Sequence, residues 1–142
     1  MKAAVLWELN KDLEVRDDVE LVELGAGDVH IKLVSSGVCH SDVSAQNGTI
    51  PSGTPCVLGH EGAGIVQEVG AGVTEVAAGD PVILAFTPAC RTCKACLRGQ
   101  ANLCETMMQM AITPHFIVDG KQMGGMTGLG TFAEEMIIPE NA

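Results

Sequence analysis

The sequence contains few aromatic residues: one tryptophan, three phenylalanines and no tyrosine among 142 residues. Aromatic rings usually supply much of the buried area of a core. Valine, isoleucine, leucine and alanine must therefore fill the interior of this protein. A chain of this length forms one domain and buries roughly 68–70% of its unfolded surface. Its core is therefore large enough that the fold does not depend on a metal for stability.

Basic residues are also few, with eight Lys and Arg against 18 Asp and Glu and a formal net charge of −10 at pH 7. Nucleic-acid binding draws on clustered Lys and Arg, so this balance argues against a nucleic-acid partner. Arg91, Lys94 and Arg98 fall together in one segment. We interpret them as solvated loop positions rather than as a partner-binding patch.

Long apolar runs are missing as well. The apolar stretches are far shorter than the ~20 residues that span a membrane. The N-terminal segment 1–8 has one basic residue, and its apolar core is too short for a secretory signal. We therefore expect a cytoplasmic protein with reduced cysteines and no membrane contact.

Glycine and β-branched residues are abundant, and they favour short strands joined by tight turns. Helical periodicity is weak except at 39–46 and 93–98, and 51–55 is interpreted as loop. The sequence therefore predicts a mainly β domain with the shape of a partly open barrel and a few short helices. Strands are predicted from the apolar patterns at 2–7, 13–15, 19–24, 29–34, 64–70, 81–86 and 130–138.

Four cysteines form the strongest motif, a C-x2-C-x2-C-x7-C run at Cys90, Cys93, Cys96 and Cys104. Thiolates are soft donors that suit zinc or an iron–sulfur cluster. A four-thiolate zinc site leaves no open coordination position and stabilises a fold rather than catalysing a reaction. The motif predicts a structural zinc in a lobe at about 88–106.

Two alternatives remain for these cysteines, namely a pair of disulfides or an iron–sulfur cluster. A reducing compartment disfavours disulfides. Bacterial ferredoxin spacing would continue as x3-C-P, whereas here seven residues precede the last cysteine, and Glu105 follows it.

A second group of possible metal ligands is divided between Cys39 and the adjacent pair His60 and Glu61. A catalytic zinc takes a few nitrogen and sulfur ligands and keeps one position open. Ser41 is placed to accept a proton from a bound alcohol, and Asp42 to hydrogen-bond the second nitrogen of the histidine ring. Taken by themselves, these residues are better explained as a buried free cysteine and a hydrogen-bonded histidine than as metal ligands.

Longer motifs make the sequence similar to a known family. They are G-V-C-H-S-D from Gly37, G-H-E-x-x-G-x5-G-x2-V from Gly59, G-D-P-V from Gly79 and the four-cysteine lobe, in that order. Together they resemble the zinc-containing alcohol dehydrogenases of the medium-chain dehydrogenase/reductase family. The resemblance covers residues 1 to about 139 and implies a GroES-like barrel as the N-terminal catalytic domain, here 1–142.

The resemblance also implies roles for individual residues. Cys39 and His60 match catalytic zinc ligands, and Glu61 matches a carboxylate that exchanges with water at the same metal. Ser41 matches the hydroxyl that accepts the substrate proton, while His40 matches a contact to the cofactor pyrophosphate. One wall of the substrate pocket is matched by Phe86, for which core packing is an equal explanation. The four-cysteine run matches the structural zinc lobe of the family.

The sequence departs from the family in several places. No G-x-G-x-x-G unit follows a strand and opens a helix, so the Rossmann cofactor domain is expected to be absent. The glycine-rich segment 124–130 is interpreted as a flexible hairpin rather than a phosphate loop. Ser44 stands where the proton relay often continues through a histidine. The last catalytic zinc cysteine is missing, and Cys56 is a weak candidate to replace it.

We therefore expect zinc-dependent, NAD(P)-linked interconversion of an alcohol and an aldehyde or ketone. This chain would be the catalytic-domain part of a longer, homo-oligomeric enzyme and inactive by itself. The alternative is a stand-alone zinc-binding or regulatory module with the same barrel. A co-chaperonin, which shares the barrel, has no use for four thiolates.

Overall fold

The computed structural model describes residues 1–107, 109 and 113–142, which form a curled, mainly β half-barrel. Short helices are present at α1 (His40–Gln46) and α2 (Lys94–Leu97), with 3₁₀ turns at Ala101–Leu103 and Met126–Gly128. The strands are β1 (Ala3–Leu6), β2 (Glu14–Arg16), β3 (Glu20–Leu21), β4 (Asp28–Gly37), β5 (Cys56–Val57), β6 (Glu61–Val69), β7 (Pro81–Ile83), β8 (Pro114–Val118), β9 (Lys121–Gly125) and β10 (Glu135–Pro139).

The strands form two sheets. The larger has the order β2-β1-β5-β9-β8-β3, and the smaller has the order β10-β4-β6-β7. Neighbouring strands are antiparallel except for the parallel pair β5 and β9. None of the helices in the described ranges is long and apolar enough to cross a membrane. The predicted mainly β, partly open barrel is confirmed.

The pairing of β4 with β6 determines where the site lies. Their register runs from Val29 opposite Val69 to Gly37 opposite Glu61. The strands are closely spaced at Gly64, where an added Cβ would lie 2.5 Å from the Lys32 carbonyl oxygen. The chain that leaves β4 and the chain that enters β6 therefore meet at one end of the sheet.

The core lies between the two sheets and is filled mainly by aliphatic side chains, as the composition predicts. Phe116 from β8 is fully buried there and belongs to a cluster that includes valines of both sheets. A smaller buried cluster packs under α1 and is formed by Leu6, Ala45, Cys56, Leu58 and Met126.

Several local predictions were wrong in extent or in kind. The strand expected at 130–138 begins only at Glu135, and the one at 81–86 ends at Ile83. The β8–β9 hairpin was missed, although its turn is the dipeptide Asp119-Gly120, a strong hairpin signal. The segment 124–130 is not a hairpin of its own, because it ends β9 and continues into a largely buried 3₁₀ turn.

His115 on β8 is a buried histidine and should make stability depend on pH. Its side chain is 3% exposed, and its Nε2 atom has no hydrogen-bond partner among the described residues. Burial lowers the pKa of His115, while the Asp28 carboxylate acts in the opposite direction. The unfolded chain, with a histidine pKa of about 6.5, therefore binds more protons in acid than the folded chain does.

This linkage makes the free energy of unfolding decrease as the pH falls through about 6.5 toward the lowered folded-state pKa. Urea unfolding at about pH 7.5 and about pH 5.5 measures the decrease. His115→Gln should reduce it, whereas substitution of the exposed His40 by Gln should not. An unchanged pH dependence in His115→Gln would contradict this prediction.

Candidate metal centres

The four cysteines of the C-x2-C-x2-C-x7-C run converge on one point. The sulfur atoms of Cys90, Cys93, Cys96 and Cys104 all lie within 4.8 Å of one another. The cysteines belong to the lobe at 88–106, where α2 begins directly after Cys93 and brings the third thiol back toward the first two. All six cysteines of the chain are unpaired, which argues against the disulfide alternative.

Backbone N–H groups point at these sulfurs and stabilise their ionised form. The amide of Cys93 donates to Cys90 Sγ, and the amide of Cys90 donates to Cys104 Sγ, both at 3.3 Å. Hydrogen bonds from Thr106 and neighbouring groups lower the pKa of Cys90 to about 5, while burial raises that of Cys96 to about 12. Four converging thiol groups are a donor set consistent with structural zinc.

The second cluster consists of Cys39, His60 and Glu61, whose ligand atoms also lie within 4.8 Å of one another. Cys39 follows the end of β4, and His60 directly precedes β6. The antiparallel register that places Gly37 opposite Glu61 therefore brings the three residues together. The structure confirms that these three predicted side chains converge, while their role as zinc ligands stays a prediction.

Asp42 connects the parts of this second cluster. It is buried, and its Oδ1 accepts a hydrogen bond from the Gly59 N–H (3.1 Å) and lies 3.2 Å from His60 Nδ1. Its Oδ2 accepts from the Cys39 N–H at 2.9 Å, as expected near the start of α1. With Nδ1 of His60 as the donor to Asp42, the lone pair of Nε2 is left available for a metal.

Ser41 and Phe86 lie at the same site. Ser41 Oγ is 3.6 Å from Cys39 Sγ. The Phe86 ring centroid lies 5.0 Å from that of His60. Ser41, His60, Glu61 and Phe86 line an open groove of about 560 Å³. Both residues predicted for the substrate side are therefore present in this groove.

His40 is placed differently. It is exposed at the start of α1, and its Nδ1 lies 3.3 Å from Ser44 Oγ one helical turn later. It is not among the residues that line the groove. The expected contact between His40 and a cofactor pyrophosphate stays a prediction.

A second cavity, of about 640 Å³, shares Phe86 with the groove. Its walls come from residues 50–56, from Pro114 on β8, from β9 and the turn after it, and from Thr87 and Met107 on either side of the cysteine lobe. No charged side chain lines it among the described residues. Sequence reasoning assigned only Phe86 to a substrate pocket, because the other walls come from segments far apart in the chain.

Cys56 lies in this second cavity rather than with the metal ligands. Burial raises the pKa of its thiol to about 11, so it stays protonated near neutral pH. It is not part of the group formed by Cys39, His60 and Glu61. The suggestion that Cys56 replaces the missing catalytic ligand therefore finds no support in the geometry.

The family model for the alcohol dehydrogenase GroES-like domain matches residues 25–142. The chain belongs to this family. More specifically, it matches the N-terminal GroES-like domain of zinc-containing, medium-chain alcohol dehydrogenases. Strands β1, β2 and β3 precede the matched range but pair with each other or with β5 and β8 of the same sheet.

Known alcohol dehydrogenases resemble the chain over nearly all of its length. It is 42% identical to a class-3 alcohol dehydrogenase of Dictyostelium discoideum, over 98% of this chain and 38% of that protein. An alcohol dehydrogenase zinc-binding domain protein from Burkholderia ambifaria has a TM-score of 0.89 at 27% identity, covering 99% of this chain and 40% of that one. The benzyl alcohol dehydrogenase of Acinetobacter calcoaceticus has a TM-score of 0.85 at 28% identity, covering 99% and 39%. The chain thus spans about two fifths of the length of these relatives.

Proposed function

We propose that this domain holds the catalytic metal and the alcohol of a nicotinamide-dependent alcohol dehydrogenase. The convergence of Cys39, His60 and Glu61 beside Ser41 is the observation that carries the proposal. Nitrogen, sulfur and carboxylate donors in this number suit a catalytic zinc with an open position. We infer that hydride acceptance belongs to NAD(P) bound by another part of a longer enzyme.

The side chains of the groove have distinct tasks in this proposal. Cys39, His60 and Glu61 would hold a zinc there, which would supply Lewis acidity toward the alcohol oxygen. Ser41 accepts the alcohol proton and passes it to solvent. Asp42 holds His60 in the tautomer that leaves Nε2 free. The second, uncharged cavity takes the carbon substituent of the alcohol and keeps water away from it.

Cobalt(II) as a coloured substitute for zinc tests the metal assignment. With the four-cysteine cluster first filled by zinc, added cobalt should bind weakly at the second cluster and give an absorption band. Benzyl alcohol should shift that band when it enters the groove. Cys39→Ala should remove the cobalt band and leave the lobe zinc in place. An alcohol-dependent shift that persists in Cys39→Ala would contradict the proposal.

The purified 142-residue chain should show no alcohol-dependent reduction of NAD or NADP. Only three ligands converge at the second cluster among the described residues, and no G-x-G-x-x-G cofactor motif is recognised in the sequence. Absorbance of the reduced cofactor measures the rate. A robust rate would contradict the assignment of the cofactor to another part of the enzyme. Zinc held at the lobe with no cobalt binding at the second cluster, even at high cobalt concentration, would favour the alternative of a stand-alone zinc-binding module.

A further inference from the structure

Both ends of the cysteine lobe contribute to the wall of the uncharged cavity. Phe86 and Thr87 line the cavity immediately before the lobe, and Met107 lines it immediately after. The lobe is thus a loop whose two ends form parts of one binding surface. A change in the conformation of the lobe can therefore change the shape of the cavity.

The entry end of the lobe is held by the C-terminal segment. The backbone N–H of Ala85 donates to the carbonyl oxygen of Ala142. Asn141 Nδ2 donates to the carbonyl oxygen of Ala89 at 3.0 Å. These hydrogen bonds involve no thiol, so the wall at Phe86 is positioned whether or not a metal is bound.

The exit end is joined to the rest of the lobe through sulfur. Cys104 Sγ accepts from the Cys90 N–H at 3.3 Å, and the N–H of Glu105 donates to Cys93 Sγ at 3.5 Å. Met107 follows one helical turn later, with its N–H 3.5 Å from the Cys104 carbonyl oxygen. A metal shared by the four sulfur atoms would hold Cys93 and Cys104 in the positions that make these contacts, and without it only the hydrogen bonds themselves join the exit end to the lobe.

We propose that metal occupancy of the four-cysteine cluster positions Met107 and thereby controls the binding of neutral apolar molecules in the cavity. In this proposal the position of Phe86, before the lobe, does not depend on the metal. The position of Met107, after the lobe, does. That the natural ligand is an alcohol rests on the proposed function, whereas the coupling between metal and cavity does not.

Binding of a neutral fluorescent probe, N-phenyl-1-naphthylamine, tests the coupling on the intact chain under reducing conditions. The zinc-loaded chain should bind the probe about tenfold more tightly than the chain stripped by a chelator, within the usual range of coupling between two sites. Because coupling is reciprocal, saturating probe should strengthen zinc binding by the same factor. Competition with a chromogenic chelator measures that second quantity.

Three variants distinguish the contribution of the lobe from those of the other cavity walls and of the second cluster. Met107→Ala should bring the ratio of probe affinities between the two metal states close to one. Ile50→Ala removes a partly exposed side chain from another wall of the cavity, so it should weaken the probe in both states and keep the ratio. Cys39→Ala should also keep the ratio, because the metal responsible is not at the second cluster.

Two results would overturn the proposal. One is equal probe affinity with and without zinc. The other is loss of hydrogen-exchange protection in β4 and β6 on zinc removal, because the effect would then be unfolding of the barrel rather than movement of one wall. Neither measurement uses an alcohol or a nicotinamide. The coupling can therefore be disproved while the proposed catalytic function stands, and the catalytic function can be disproved while the coupling stands.

Discussion

Replacement of Cys96 by serine should abolish tight zinc binding by the chain. The wild-type chain should retain about one zinc, because four thiols converge at the lobe and three ligands at the second cluster. Serine is not ionised near neutral pH and is a poor donor for a soft metal. Loss of a residue that only supports a ligand costs 10–100-fold in affinity, so loss of a ligand should cost more than about 100-fold.

Metal analysis after dialysis against a competing chelator measures this loss. Cys56→Ala is the matched control, since that thiol is buried in the uncharged cavity away from both clusters. It should retain one zinc. Two tightly held zincs on the wild-type chain, or an unchanged zinc content in Cys96→Ser, would show that the ligands have been assigned wrongly.

Gly59→Ala should destabilise the domain more than a Gly→Ala control of similar backbone geometry. Gly59 has φ +92°, and an added Cβ would lie 2.5 Å from Thr131 Oγ1 and 2.7 Å from the backbone nitrogen of Phe132. Its N–H donates to Asp42, and its carbonyl oxygen accepts from Gly130 and Thr131. The substitution therefore disturbs the peptide that holds His60.

The expected loss has two parts. A non-glycine residue at positive φ costs about 1–3 kcal/mol, and overpacking a filled site costs about 1–3 kcal/mol more. Gly72→Ala isolates the first part, because Gly72 has φ +87° but no atom within 4 Å of an added Cβ. Urea unfolding of both variants gives the difference in the free energy of unfolding.

Cobalt binding at the second cluster is the second measurement for this pair. Gly59→Ala should weaken it, whereas Gly72→Ala should leave it unchanged because Gly72 follows the far end of β6 from the cluster. Equal destabilisation by the two substitutions would mean that the crowding at Gly59 is relieved by movement of Thr131 and Phe132. In that case Gly59 would not be required to position His60.

The two metal clusters differ in how far the sequence predicts them. Three ligands of the lobe are spaced three residues apart, so one loop aims them at a point and the spacing alone indicates the site. Cys39 and His60 are separated by a helix, a loop and a short strand. The motifs of the family linked them, and the register of β4 against β6 shows why they meet.

Of the residues that line the uncharged cavity, only Phe86 was predicted from the sequence to line a pocket. Phe86 was assigned to a pocket by resemblance, but the remaining walls combine a proline-containing loop, β9 and the lobe exit at Met107. The β8–β9 hairpin was missed as well, although Asp119-Gly120 marks its turn. With β9 unrecognised, no sequence pattern could place Met123 in the same cavity as residues 50–56.

Composition and short-range patterns were enough to predict the aliphatic core, the mainly β class, the four-thiol site and the motifs that identify the family. These properties depend on composition or on residues close together along the chain. Only the packed fold shows that Cys39, His60 and Glu61 converge, that Asp42 hydrogen-bonds both sides of that cluster, and that the lobe borders the cavity. These contacts depend on strand register and chain crossings, because residues distant in the sequence meet only when the two sheets have packed together.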